Sequence, residues 1–289
     1  MDVPYGFIEE AAHLLPSPCP KNQLDSYDFG NAIWNKAMKG VWSMRTFVEL
    51  VISHYNGTWY HCFSGDGIPI CDLRTLLTLK NPRDIRVVKI YLRDCAVQPS
   101  ETMSATNLKS LMATVVRMTP RPPARSLPYT CWIEKDGILA TPELCALNPI
   151  PDQRARQQFA EALLPFEFGV FRLHSYYAEY DSILEKHLRN MADRRVVSVA
   201  SMREFQPSTM KVFLDFGRTS PKPLGSSVYE DEYAKVHEWA DFDEVLQNHV
   251  TASPNAPMIA FFHITVTTSY RQILLSQNLR SLQEPLRNQ

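Results

Sequence analysis

Two histidines and two cysteines lie close together in the first third of the chain: His54, His61, Cys62 and Cys71. Imidazole and thiolate are the ligands that zinc prefers, and four of them suffice for a tetrahedral site. Adjacent residues of a strand point to opposite faces, so His61 and Cys62 cannot both reach one ion without a bulge. We therefore interpret the four as buried cysteines and cross-strand histidines, with a metal as the open alternative, and assign no cofactor.

A further histidine lies near the C-terminal end, in the run Phe262-His263-Ile264-Thr265-Val266. The tetrad that begins at His263 resembles half of the signature of the two-histidine phosphoesterases, in which a histidine acts as acid or base and a nearby hydroxyl helps to hold phosphate. That family uses two such tetrads, and this sequence contains one. A phosphoesterase-type hydrolase around His263 is therefore an alternative function, and no catalytic residue is assigned.

The segment 119–125 contains a proline-and-arginine motif, Pro120-x-x-Pro123-x-Arg125, with Pro122 inside it. Proline holds the backbone near the polyproline II conformation, which predicts binding to the aromatic groove of an SH3-like partner protein. Arg125 would set the direction of binding by pairing with an acidic patch on that partner. Proline-rich stretches also serve as stiff linkers, so the competing interpretation is a structural connector.

Basic residues surround a strand that is rich in branched and aromatic side chains: Arg83, Arg86, Lys89 and Arg93. Basic side chains interleaved with aromatic ones are typical of surfaces that bind nucleic acid. Arg86 and Lys89 are three positions apart, an odd spacing, which predicts that they lie on opposite faces of a regular strand. Nucleic-acid binding by these residues is a second alternative function.

A third motif resembles the Leu-Pro-x-Glu opening of F-box motifs, which dock a ligase adaptor: Leu164-Pro165-Phe166-Glu167. Phe168 and Gly169 follow where that family continues its helix with aliphatic residues, and a glycine weakens a helix. The resemblance covers these four residues alone.

Composition excludes several classes of protein. Glycine is scarce and proline common, at 10 and 21 of 289 residues, and neither glycine-rich phosphate-binding motif is present. A net charge of −1 indicates no polybasic membrane patch. The sequence shows neither a secretory leader nor an apolar stretch of about 18 residues, which predicts a protein without a membrane span and with reduced cysteines. We expect a cytoplasmic location, and a nuclear one is compatible.

Hydrophobic periodicity and turn residues predict an α+β protein with mixed helices and short, mainly antiparallel sheets, and show no repeat of fixed period. Asn56-Gly57 is interpreted as the end of a long helix. The predicted helices cover 7–14, 31–55, 72–80, 107–118, 152–164, 176–191, 230–240 and 270–282, with a short one from 141 and a restart from 241. The predicted strands cover 58–63, 68–70, 86–97, 129–133, 138–140, 195–201, 210–216 and 256–267.

These elements group into an irregular N-terminal arm over 1–30, an α+β lobe over 31–118, a proline-rich connector over 119–129 and an α+β lobe over 130–289. One domain with a long internal connector fits as well. Because no catalytic or phosphate motif is complete, we predict a non-enzymatic intracellular protein-interaction or regulatory protein. The composition is compatible with a virus-encoded accessory protein that antagonises a host pathway.

Overall fold

The computed structural model describes most of the first two thirds of the chain and three strands beyond it. The described residues are 4–14, 25–26, 28, 30–65, 67–120, 142–173, 178–194, 199–202, 225–228 and 262–264. The predicted strands over 129–133, 138–140 and 210–216 lie outside them, as do the predicted helices over 230–240 and 270–282 and the restart from 241.

Two helices open the chain, α1 over Tyr5–Leu14 and α2 over Ala32–Met44. The side chain of Asn31 caps α2 by accepting a hydrogen bond from the Ile33 amide at 2.8 Å. The two helices pack on each other through a small core of their own, which contains Ala12, Met38, Val41 and Trp42.

The predicted long helix over 31–55 is wrong in its second half, which forms the strand β1 over Thr46–Tyr55. Its residues are mostly β-branched or aromatic, and their burial largely alternates, as in a strand with one buried face. Asn56 and Gly57 then have φ values of 47° and 76°. Positive φ at both positions is what a tight hairpin turn requires, and this turn joins β1 to β2 over Thr58–Gly65.

The remaining elements follow in chain order, and Asp72, Asn107 and Asp152, the first residues of three predicted helices, cap α3, α4 and α5. They are β3 Ile68–Cys71, α3 Leu73–Leu79, β4 Ile85–Leu92, β5 Ser104–Thr106, α4 Leu108–Met118, β6 Glu143–Ala146, α5 Gln153–Leu163, β7 Val170–Leu173, α6 Glu179–Arg194, β8 Val199–Met202, β9 Gly225–Val228 and β10 Phe262–Ile264. The short helix expected from 141 is wrong, because β6 occupies that stretch.

One mixed sheet contains all the described strands, in the order β10-β9-β8-β7-β6-β4-β1-β2-β3 with β5 beside β2. The α+β class is thus confirmed. The pairing differs from the expected, mainly antiparallel one: among the described strands six pairs are parallel and three are antiparallel. Where the connection is described, the helices α4, α5 and α6 lie between parallel strands, and such a helix returns the chain to the same end of the sheet.

From β6 onward each strand is added beside the previous one, always in the same direction across the sheet. Strands β6 to β9 begin at residues 143, 170, 199 and 225, so successive starts are 27, 29 and 26 residues apart. Helix α5 packs between α4 and α6. Within the described residues, two strand-and-helix units follow one another, β6 with α5 and β7 with α6.

Four of the helices, α3 to α6, cover one face of the sheet. Each contributes buried side chains to a single hydrophobic core with β1, β2, β4 and β6. Among the helical contributors are Leu76, Leu111, Val115, Phe159, Leu163, Ile183 and Leu188. Each described helix is too short or too polar to cross a bilayer.

Strands from both sides of the 119–129 segment belong to this sheet, because β4 pairs with β6. The hydrophobic core likewise contains residues from both sides. The lobe boundaries proposed from the sequence stay a prediction.

Candidate interaction surface

A β-bulge decides which side chains of β4 lie away from the core. The register between β1 and β4 shifts at Glu49, so that Val88 has no partner in β1. A bulge of this kind reverses the alternation of side chains along the strand. Arg86 and Lys89 consequently share the face opposite the core with Tyr91, which corrects the expectation that the two basic residues lie on opposite faces.

We call this second side of the sheet the open face; at one end of β4 its Arg86 reaches the end of α1. We define it by Glu49, Tyr60, Lys89, Tyr91, Glu143 and Arg172. Parallel strands are normally covered on both faces and apolar on both. This face carries both charged side chains and the buried residues Ser53, Cys62 and Cys145.

The charges of the open face alternate in sign across four adjacent strands. Glu49 on β1 lies opposite Lys89 on β4, and Lys89 lies opposite Glu143 on β6. The guanidinium of Arg172, on β7, places its Nε 3.2 Å from Glu143 Oε1. Opposite charges on neighbouring strands stabilise one another, so this row is locally neutral.

A cysteine lies beside this row of charges. Cys145 is buried, and burial, followed by the nearby Glu143 carboxylate, raises the pKa of its thiol. Lys89 and Arg172 act in the opposite direction. A thiol with a raised pKa is a weaker nucleophile at neutral pH.

Two of the four residues predicted to bind nucleic acid have partners within the fold. Arg83 pairs with Glu10 at 2.8 Å. Arg86 donates hydrogen bonds to the carbonyl oxygens of His13 at 2.8 Å and Ile85 at 2.8 Å, and burial lowers the pKa of its guanidinium. Arg86 therefore links β4 to the end of α1.

The other two, Lys89 and Arg93, are half-buried at the open face. Their side chains make no hydrogen bond or ion pair with any residue that the structure describes. The half-buried rings of Tyr60 and Tyr91 lie on the same face.

The histidines considered as metal ligands are occupied within the fold. His61 Nδ1 lies 3.1 Å from the carbonyl oxygen of Ser104, and its Nε2 accepts a hydrogen bond from the Leu73 amide at 3.2 Å. This arrangement fixes a neutral ring protonated on Nδ1, and burial lowers the pKa of the imidazole. His54 packs against Trp59 with ring centroids 4.7 Å apart.

The two cysteines of that set do not complete a site. Cys62 lies on the opposite face of β2 from His61, and Cys71 pairs with Phe63. Burial raises the pKa of both thiols. Within the described ranges, no three histidine, cysteine or carboxylate side chains are grouped so as to hold a metal ion.

Replacing His61 by phenylalanine is expected to destabilise the protein by about 1–3 kcal/mol, because it leaves the Leu73 amide and the Ser104 carbonyl without their partner. Urea unfolding at neutral pH measures this. The His54→Phe variant is the matched control and should lose less, since His54 makes a ring contact rather than two bridging hydrogen bonds. Equal losses in the two variants would contradict the structural role of His61.

The remaining sequence motifs are placed only in part. Pro120 is half-buried after the end of α4, whereas Pro122, Pro123 and Arg125 lie outside the described residues. His263 lies on β10 opposite Ser227 of β9.

The tetrad that resembles an F-box opening begins at Leu164, the C-cap of α5, and so follows a helix instead of starting one. Phe166 in this tetrad is buried and stacks on Phe168 at 5.5 Å. The segment therefore contributes to the core.

Sequence reasoning identified Lys89 but not the acidic residues beside it. The alternation along 46–55 could have revealed Glu49 as an outward-facing strand residue. Glu143 and Arg172 carry no comparable local signal. No protein-family model, curated protein or solved structure matches the chain, so its function is argued from the surface itself.

Proposed function

We propose that the chain is a non-enzymatic protein-interaction protein that binds a partner protein on the open face. The observation that supports this proposal is the contrast between the two faces of one largely parallel sheet. Helices α3 to α6 cover one face, and the other presents charges and tyrosines. Tyrosine and arginine are enriched at protein interfaces.

The charge pattern favours a protein over a nucleic acid. A surface that binds phosphates accumulates positive charge, whereas Glu49 and Glu143 lie on either side of Lys89 on the open face. A partner protein can match alternating charges with its own, which gives specificity. The proline motif around Pro120 and Pro123 is a second proposed contact, to an SH3-like domain.

Site-specific photocrosslinking tests this proposal. A photoreactive amino acid replaces Tyr91 on the open face, and in the control it replaces Lys109, which is exposed on α4 on the covered side of the sheet. In extract of the source cells, position 91 is expected to give a protein adduct that survives nuclease treatment. Position 109 is expected not to give this adduct.

The crosslinked protein is then identified by mass spectrometry and purified. It is expected to bind the Tyr91→Ala variant about tenfold more weakly than the wild type, since a central tyrosine contributes on the order of 1–2 kcal/mol to an interface. A nuclease-sensitive adduct would support the nucleic-acid alternative instead. Equal adducts at both positions would show that the open face is not the binding surface.

A further inference from the structure

The tip of the β1–β2 hairpin carries the one asparagine–glycine pair of the sequence, Asn56-Gly57. Both residues are exposed. The β1–β2 ladder ends at the pair Tyr55 and Thr58, so the amides of the two turn residues lie outside its pairing. Beyond its two chain neighbours, no described residue has an atom within 4 Å of the position that a Cβ on Gly57 would take. Solvent therefore reaches the side chain of Asn56 and the backbone nitrogen that follows it.

This open turn allows a reaction within the chain itself. The backbone nitrogen of Gly57 can attack the side-chain amide carbon Cγ of Asn56, because glycine has no side chain to hinder the approach. The new C–N bond forms, the bond from Cγ to the side-chain nitrogen breaks, and ammonia leaves with the proton of the Gly57 amide. The product is a five-membered succinimide. Water opens this ring at either carbonyl, which gives aspartate or isoaspartate at position 56.

Two other exposed asparagines are held by the fold in a way that Asn56 is not. The Oδ1 atom of Asn31 accepts a hydrogen bond from the Ile33 amide at 2.8 Å, and that of Asn107 accepts one from the Ser110 amide at 3.0 Å. Each of them is followed by a residue with a side chain. The side chain of Asn56 makes no hydrogen bond with any residue that the structure describes. The fold thus restrains the side chains of Asn31 and Asn107 more than that of Asn56.

We propose that Asn56 is a modification site, where deamidation through a succinimide converts the tip of the β1–β2 hairpin to aspartate and isoaspartate.

The two products act differently on the hairpin. Aspartate, like asparagine, tolerates the left-handed conformation that position 56 adopts, with φ of 47°. Isoaspartate routes the main chain through its side chain and lengthens the turn by one carbon atom, which the geometry of a two-residue hairpin does not accommodate. Aspartate therefore adds a negative charge and keeps the turn, whereas isoaspartate opens the end of the hairpin.

Incubation of the purified full chain at mildly alkaline pH, followed by peptide mapping with mass spectrometry, tests this proposal. Alkaline pH favours the reaction, because the attacking nitrogen must lose its proton. Asn31 and Asn107 serve as controls in the same sample. Deamidation at position 56 is expected to be at least about tenfold faster than at either control, and its product should separate into two peptides that match synthetic aspartate and isoaspartate standards.

Two variants isolate the effect of isoaspartate on the fold. The fresh Asn56→Asp variant contains the aspartate product alone, and its thermal midpoint should equal that of fresh wild type. Aged wild type should show a fraction with a lower midpoint, in proportion to its isoaspartate content. The Asn56→Gly variant lacks the reactive amide and tolerates positive φ, so it should show no such fraction after the same incubation.

Equal deamidation rates at the three asparagines would overturn the proposal. So would an unmodified position 56 after an incubation that fully converts a synthetic peptide of residues 50–62. Aspartate without isoaspartate would exclude the succinimide, since direct hydrolysis of the amide gives aspartate alone. Isoaspartate with an unchanged midpoint would show that the hairpin accommodates the longer turn, and would overturn the structural effect. Each of these readouts is independent of the partner protein of the open face.

Discussion

The Arg45→Met variant is expected to lose about 2–4 kcal/mol of unfolding free energy and to release helix α1 from the sheet. Arg45 is 2% exposed, and its Nη2 donates to the carbonyl oxygens of Ala12 at 2.8 Å and His13 at 3.4 Å. The last carbonyls of a helix have no partner within it and form the negative end of its dipole. A buried cation there is stabilising, and the neutral methionine side chain cannot replace its hydrogen bonds.

Urea unfolding and hydrogen exchange of the α1 amides measure the two effects. The matched control is Arg83→Met, since Arg83 also binds α1, through Glu10, but both side chains are 65% exposed. An exposed ion pair of this kind contributes less than about 1 kcal/mol. The unfolding free energy of Arg45→Lys should lie between those of the two methionine variants. Lysine keeps the positive charge but lacks the planar guanidinium group and its several N–H donors. If Arg45→Met behaves like the control, the attachment of α1 depends on its apolar contacts instead.

Local signals in the sequence were sufficient for some elements and insufficient for others. Asp72, Asn107 and Asp152 mark helix starts correctly, because a capping side chain acts on amides two or three residues away. Asn56-Gly57 was misinterpreted, although the pair is a strong hairpin signal between alternating strands. The apolar residues on both sides of 46–55 also fit a buried helix, and only pairing with β2 and β4 distinguishes the two.

The open face could not be predicted, because it exists only after distant strands have paired. Glu49, Lys89, Glu143 and Arg172 come from four strands, and their order on the sheet follows from the one-directional topology. The bulge at Val88 also hinders a prediction from sequence. It reverses the alternation of side chains along β4, from which the face of each residue would be deduced. The charged row is therefore a property of the tertiary fold.

Acid is expected to unfold this protein partly through one buried histidine, His187 on α6. Its ring is 1% exposed and packs edge-on against Phe168 with centroids 5.2 Å apart. Burial, followed by the neighbouring charge of Lys186, lowers the pKa of His187 to about 3 from an ordinary value of 6.5. The folded state therefore holds the ring neutral over a pH range in which the unfolded chain binds a proton.

The direction of the effect follows from this difference. Above pH 6.5 the ring is neutral in both states and its titration changes nothing. As the pH falls from 6.5 to about 3 the unfolded state alone gains the proton, so stability decreases by about 1.4 kcal/mol per pH unit. The contribution of His187 at pH 4.5 is thus a loss of roughly 2–3 kcal/mol relative to pH 7. Below about pH 3 both states are protonated and the loss stops growing.

Urea unfolding of the wild type and of His187→Phe at pH 7, 5.5 and 4.5 measures this contribution. The phenylalanine ring fills a similar volume beside Phe168 and cannot titrate, so the variant should lose less stability on acidification by about the amount attributed to His187. His54 and His61, whose pKa values burial also lowers, remain in both proteins, and the difference between the two pH profiles therefore isolates one group. Parallel profiles would show that the folded state accommodates the protonated ring of His187, and that its burial does not control acid stability.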